Sequence, residues 1–388
     1  MDLPRIMLAP LSRGTGTDTV LFAAPFVVGP AATLRPGTRA AAAASCYSGR
    51  RLRRSHPAAD DIGAHAKHDV PVLVLTPPPA PTSIAEVAEL GSRLRAQVRA
   101  AMTISDSALD TVLATLLAGG HLLVEDHPGV GKTLLARMLA SGIGGRFGRV
   151  QATVDLLPGD IVGANVWRPE TGDFVFRPGP VFANVVLVDE LNRASPKTQS
   201  GLLEAMEEEQ VTVDGTSRPI PRPCFVIATQ NPRAGYDGTY PLPLAQLDRF
   251  LARVSLGYPD MAGEISLLRT EPPAASPPVT NPLELLDAQH AVSALHASDA
   301  VLAYVVELVR FTRAHDRIET GASPRAAVWL LQAARAHAAL DGRDFVIPDD
   351  VRALAPAVLI HRLELRHDGS HAAAEEVVAQ ALTEVPVL

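Results

Sequence analysis

The run Leu122-Leu123-Val124-Glu125-Asp126-His127-Pro128-Gly129-Val130-Gly131-Lys132-Thr133 constrains this chain more than any other stretch. Its three leading apolar residues read as a short buried strand. Two glycines then allow a sharp turn, and Leu134 to Leu139 returns to helical spacing. Strand, glycine loop and helix in that order point to an α/β fold with a parallel sheet. The same order makes an anion site: backbone N–H groups of residues 127–133 can form a concave nest, and the helix N-terminus adds its dipole. Lys132 is one of only three lysines, with Lys67 and Lys197, and the other 32 of the 35 basic residues are arginine. A chain that writes nearly every cation as arginine keeps a compact ammonium where a phosphate loop needs one.

The expected ligand is therefore a nucleoside triphosphate, held by His127, Pro128, Gly129, Val130, Gly131, Lys132, Thr133 and Leu134. Lys132 is expected to bridge the β- and γ-phosphates, and the Thr133 hydroxyl to ligate Mg²⁺. Asp126 departs from the general pattern, which begins with glycine at that place. A second run, Val185-Val186-Leu187-Val188-Asp189-Glu190, is a buried strand ending in two acids, and α/β sheets place ligands at the carboxyl ends of their strands. Asp189 is expected to hold the Mg²⁺ shell, and Glu190 to orient and deprotonate the attacking water. A third apolar strand, Phe225 to Thr229, ends in Gln230-Asn231-Pro232. An amide at Asn231 can position the lytic water, although taken alone an Asn before proline more often reads as a turn residue.

With 388 residues there is room for two domains, and 47% apolar with 4% aromatic content suits an Ala/Leu/Val-rich α/β protein. Cys46 and Cys224 are too few for a disulfide framework or a cysteine zinc site, so a reducing, cytoplasmic setting is expected, with Cys224 a small buried apolar residue. Residues 1–80 lack sustained periodicity, carry a net +4 against −11 for the rest, and end in Pro77-Pro78-Pro79-Ala80-Pro81. They read as a low-complexity, disordered tail, in which Arg50-Arg51-Leu52-Arg53-Arg54 is a solvated run rather than a nucleic-acid contact. The apolar stretch Val20 to Val28 is interrupted by Pro25 and is not read as a signal peptide; no stretch reaches transmembrane length.

Helical spacing runs from Ile84 to Val98 and from Ala108 to Leu117, with weaker strands near Val150 and Val254. Two hairpins are expected, one pairing Val166-Trp167-Arg168 with Phe174-Val175-Phe176 and one turning at Asp214-Gly215 after Val211-Thr212-Val213. After Tyr258 the strands are expected to cease, and residues 299–315 and 324–340 read as amphipathic helices. Pro272, Pro273, Pro277, Pro278 and Pro282 mark a loop before them. The expected division is an ATPase core over 84–257 and a helical lid over 258–388.

The chain resembles the MoxR-type AAA+ ATPases across about residues 84–388. The resemblance is carried by Asp189-Glu190-Leu191-Asn192-Arg193-Ala194-Ser195-Pro196-Lys197-Thr198-Gln199, Leu202-Leu203-Glu204-Ala205-Met206-Glu207-Glu208, Ala228-Thr229-Gln230-Asn231-Pro232, Gly238-Thr239-Tyr240-Pro241-Leu242-Pro243 and Gln246-Leu247-Asp248-Arg249-Phe250. It implies a parallel-sheet P-loop core with a helical lid, ATP hydrolysis, and assembly as a ring, expected to be a hexamer. Asn231 matches the family's sensor 1, Arg249 its arginine finger, and Arg325, in Gly321-Ala322-Ser323-Pro324-Arg325-Ala326, its sensor 2. From the residues alone, Arg249 reads as a surface ion pair with Asp248, and Arg325 fits an exposed first-turn arginine and a site residue equally well. The two hairpins match the family's helix-2 and pre-sensor-1 inserts, with Phe174 and Phe176 read as cross-strand packing. Pro348-Asp349-Asp350-Val351 and Leu359-Ile360-His361-Arg362 resemble the family lid, and Met102-Thr103-Ile104-Ser105-Asp106 stands where the family has a segment close to the adenine. The implied client is a protein with a von Willebrand factor A domain, matured or fitted with metal or cofactor. A nucleic-acid motor, disfavoured by the acidic core, and a nucleotide-gated scaffold with little hydrolysis are the alternatives.

Overall fold

The computed structural model describes residues 82–231, 239–259, 261–269, 277–366 and 371–387. The readings of residues 1–80, including Val20 to Val28, Cys46 and the Arg50 to Arg54 run, lie outside the described residues, as do Lys67, Pro232, Gly238, Pro272 and Pro273.

Helix α1 (Ile84–Ala101) opens on a capping box, with the Glu86 N–H donating to Ser83 Oγ and the Ser83 N–H to the Glu86 carboxylate. Helix α2 (Asp106–Leu117) is capped by Ser105, and β1 (Leu122–Glu125) and α3 (Lys132–Gly142) follow. Next come β2 (Phe147–Gln151), the short α4 (Pro158–Val162), β3 (Gly163–Arg168), β4 (Asp173–Pro178), β5 (Val185–Asp189) and α5 (Pro196–Glu208). Strands β6 (Gln210–Val213), β7 (Thr216–Pro219) and β8 (Phe225–Gln230), the one-turn α6 (Leu244–Leu247) and β9 (Ala252–Val254) complete this part.

Five strands form one parallel sheet in the order β2-β5-β8-β1-β9. Every residue of β5 is buried, as expected for a strand covered on both faces. The order decides the site, because β8 lies between β1 and β5. Registers Glu125↔Gln230 and Val188↔Ala228 bring the carboxyl ends of these three strands side by side.

Both hairpins form. In the first, Trp167 pairs with Phe174, and their rings meet edge to face at 5.1 Å. In the second, Asp214 (φ 50°) and Gly215 (φ 75°) supply the two left-handed residues that a tight two-residue turn requires. The hairpins touch: Asn165 Nδ2 donates to Asp214 Oδ2 at 2.6 Å, and the Arg218 guanidinium lies 4.1 Å from the Phe176 ring centre.

The helical part comprises α7 (Met261–Arg269), α8 (Pro282–Ser293), α9 (Asp299–Ala314), α10 (Pro324–Leu340), α11 (Pro348–Leu359) and α12 (His371–Glu384). It also contains an antiparallel ribbon of β10 (Ile318–Thr320) and β11 (Glu364–Leu365), which corrects the expectation that strands cease after Tyr258. Segments of three and two residues are too short to show a period of two. Helix α9 buries Val301, Tyr304, Val305, Leu308, Val309 and Thr312, one stripe at helical spacing. Small buried alanines along α10 let it lie close to α1, α2 and α11, and one hydrophobic cluster runs from α1–α3 into α8–α11. Among the described residues no helix is long and apolar enough to cross a membrane.

Candidate active site

The loop between β1 and α3 turns on Gly129 (φ 90°) and Gly131 (φ 92°), where a side chain would strain the backbone. It closes one wall of a cavity of about 430 Å³ lined by Asp126, Pro128, Gly129, Gly131, Lys132, Thr133 and Leu134. The facing wall comes from the ends of β2, β5 and β8: Arg149, Gln151, Asp189, Glu190, Thr229, Gln230 and Asn231. Of the residues expected around the phosphates, two stand apart. The His127 ring stacks on Tyr258 at 5.8 Å, and the Val130 side chain is buried in the core. Met102 lies against the loop, its methyl 3.1 Å from where a Cβ on Gly131 would sit.

Lys132 Nζ donates to the carbonyls of Asp126 (2.9 Å) and His127 (3.0 Å), folding the ammonium back across the mouth of its own loop. Burial lowers its pKa, opposed by the negative charges of Asp126, Asp189 and Glu190. Asp126, 6% exposed, accepts from Ser255 Oγ (2.9 Å) and from the N–H groups of Leu256 and Gly257. The departure from glycine is thus a tether between the phosphate loop and the chain leaving β9.

Glu190 follows β5 in the left-handed region (φ 55°) and turns the chain abruptly off the sheet edge. Its N–H donates to Thr229 Oγ1 at 2.9 Å, and its carboxylate pairs with Arg193 Nε at 3.0 Å. Arg149 makes a fork to Asp189 Oδ2, with Nε at 2.9 Å and Nη2 at 2.8 Å. Sequence reasoning missed Arg149 and Thr229: Phe147-Gly148-Arg149-Val150-Gln151 alternates as any strand does, and only the pairing of β2 with β5 places its arginine by the acid. The donor set fits Mg²⁺, since the Thr133 hydroxyl and the Asp189 carboxylate are hard oxygen ligands lining one cavity.

Arg249 and Arg325 lie elsewhere. Arg249 Nε sits 3.0 Å from Glu207 Oε2 and Arg325 Nη2 2.7 Å from Glu207 Oε1, so one carboxylate holds both guanidiniums. Their cavity, about 310 Å³, is shared with Gly119, His121, Met206, Glu209 and Trp329, and none of the phosphate-loop residues lines it. The ion pair expected from adjacency, Arg249 with Asp248, is not the one formed; Asp248 pairs with Arg362 instead. Cys224 is half-buried, and burial pushes its thiol up to about 12, which keeps it protonated and unreactive.

A parallel sheet with the phosphate-loop strand and the acidic strand flanking β8, topped by a helical lid, defines an ATPase of the AAA class. The sequence pattern of the ATPase family associated with various cellular activities (AAA) matches residues 121–252, and that of the AAA lid domain matches residues 310–384. The chain is 40% identical over 284 residues to the chaperone MoxR1 of Mycobacterium tuberculosis, covering 70% of this chain and 75% of that one. It is 32% identical over 318 residues to protein MoxR of Methylorubrum extorquens (74% and 91% covered), and 47% identical over 281 residues to the uncharacterized protein YeaC of Bacillus subtilis (71% and 88%). A solved putative ATPase from Cytophaga hutchinsonii superposes with a TM-score of 0.72 at 32% identity, covering 79% of this chain and 97% of that one. The chain belongs to the MoxR family of AAA ATPases.

Proposed function

We propose that the protein binds ATP with Mg²⁺ and hydrolyses it at sites shared between subunits of a ring, expected to be a hexamer, to remodel a client protein. The observation that carries this reading is the division of the charged residues. Lys132, Thr133, Asp189, Glu190 and Asn231 line one cavity of the protomer, while Arg249 and Arg325 line another. Two guanidiniums that a protomer does not direct at its own phosphate loop are suited to the nucleotide of a neighbour.

Lys132, released from the Asp126 and His127 carbonyls, meets the β- and γ-phosphates. Thr133 and Asp189 would hold Mg²⁺, which would neutralise charge on the phosphate oxygens. Glu190 accepts a proton from the attacking water and Asn231 orients that water. Arg249, with Arg325 beside it, meets the charge developing on the transferred phosphoryl group from the neighbouring subunit. The lid, packed on the core, converts turnover into a change of angle passed to the client. Family resemblance supports a client carrying a von Willebrand factor A domain, matured or loaded with metal or cofactor, and the low cysteine count supports a cytoplasmic setting.

The test is turnover by Glu190→Gln, expected to fall roughly 100-fold or more while nucleotide binding persists; near-equal rates would sink the base assignment. Mixing Arg249→Ala with Lys132→Ala subunits is expected to restore activity that neither has alone. No recovery under assembling conditions would remove the shared site.

A further inference from the structure

Arg362 closes the 3₁₀ turn Ile360–Arg362 that follows α11, and it is 3% exposed. All three guanidinium nitrogens are engaged. Nε donates to Asp248 Oδ1 at 2.8 Å, Nη1 to the carbonyls of Leu251 (3.2 Å) and Val358, and Nη2 to the carbonyls of Asp248 (3.1 Å) and Phe250. Three of these carbonyls belong to residues immediately flanking or following Arg249. The second oxygen of Asp248 accepts from Ser323 Oγ at 2.9 Å, and that same hydroxyl caps α10 by accepting from the Ala326 N–H at 3.2 Å. Arg325 stands two residues beyond Ser323. One buried ion pair therefore joins the segment carrying Arg249 to both lid elements, the end of α11 and the start of α10.

Stability alone does not account for this arrangement. A buried ion pair is replaced by apolar side chains of similar volume with little loss, because desolvation offsets most of its attraction. A planar fork bonded at several points does something an apolar contact cannot: it fixes a backbone in position and orientation. We propose that Arg362 is a positioning residue for Arg249, holding residues 248–251 so that the reach of the guanidinium toward the neighbouring nucleotide follows the placement of the lid. The proposal rests on the shared-site reading above. Lysine at 362 would keep the charge but offer a single nitrogen, and Asn at 248 would keep an acceptor but lose the charge.

The experiment uses full-length Arg362→Lys and Asp248→Asn, with Arg249→Ala as reference. Each is measured for thermal unfolding, for affinity toward a fluorescent ATP analogue, and for turnover alone and mixed with Lys132→Ala subunits. A displaced finger is expected to lower turnover roughly 10- to 100-fold with analogue affinity unchanged. Mixing is expected to restore turnover, because the Lys132→Ala subunit supplies an intact Arg249 to the variant's own phosphate loop. Wild-type turnover in both variants would overturn the proposal. So would failure of Lys132→Ala to rescue them where it rescues Arg249→Ala, since a folding role damages both faces of a subunit. Loss of folding in both variants would assign Arg362 to structure alone. Failure of Lys132→Ala to rescue even Arg249→Ala would instead mark the shared-site reading as the one at fault.

Discussion

Asp126 shows how a single departure from a motif is read once its surroundings are known. Its carboxylate satisfies Ser255 Oγ and the backbone N–H groups of Leu256 and Gly257 at a position where glycine would leave them facing a void. Asp126→Gly is expected to cost about 2 kcal/mol, the penalty of stranding buried donors, and to weaken nucleotide binding by loosening the loop. Urea unfolding and analogue titration check both, with Asp126→Asn retaining an acceptor and most of the stability. Lys132, Asp189 and Glu190, which line one cavity, were legible as candidate site residues because each depends on its immediate neighbours: a glycine turn, or an apolar strand running into acids. Arg149, Thr229 and Glu207 were not legible, because each acquires meaning from a partner on another element.

At the scale of elements, hydrophobic spacing and turn chemistry located α1, α2, α3, α9, α10, the main strands and both hairpins, whereas α8, which opens at Pro282 where a loop was expected, was not located and the ribbon β10–β11 was too short to announce itself. The contacts at the junction of α10 and α11 were also invisible in the sequence, although Pro348-Asp349-Asp350-Val351 resembles the family lid. Asp350, 1% exposed, accepts from the Ile347 N–H (2.8 Å), from His337 Nδ1 (2.7 Å) and from Arg343. His337, Asp341 and Asp350 lie close enough to suggest a metal site, yet Arg343 already donates to both carboxylates, so a guanidinium supplies the positive charge. The bonds from Arg343 and His337 outweigh burial and hold the Asp350 carboxyl at about 2. Its stabilising contribution is full above the ordinary carboxylate range and is lost only as pH falls through about 2. Asp350→Ala leaves Arg343 without its buried partner and is expected to cost about 3 kcal/mol, read as a lowered unfolding midpoint in urea at neutral pH.

Across the whole molecule, stability should weaken on mild acidification. His121 joins the sheet to α5: its Nδ1 accepts the Val226 N–H (3.2 Å), which leaves Nε2 to donate to the Met206 carbonyl (3.3 Å). Burial pushes its pKa down to about 4, and His361, buried beside Arg362, shifts the same way. A depressed histidine contributes stability that is complete above its unfolded value near 6.5 and disappears as pH falls through about 4; for His121 the loss approaches about 3 kcal/mol. Unfolding free energy measured from pH 7 to 4.5 is expected to fall in wild type and to fall less in His121→Gln, which starts lower. An equal slope in the two would remove His121 as the cause. The sequence by itself determined what is local: a phosphate loop, an acidic strand end, tight turns and amphipathic helices, because each follows from the sterics and periodicity of adjacent residues. Only the tertiary structure decided that β8 separates β1 from β5, that Arg149 grips Asp189, and that Arg249 and Arg325 share Glu207 away from the phosphate loop. Those contacts join residues 40 to 118 positions apart, and which distant strands and helices meet is set by the packing of one shared core rather than by any run of neighbours.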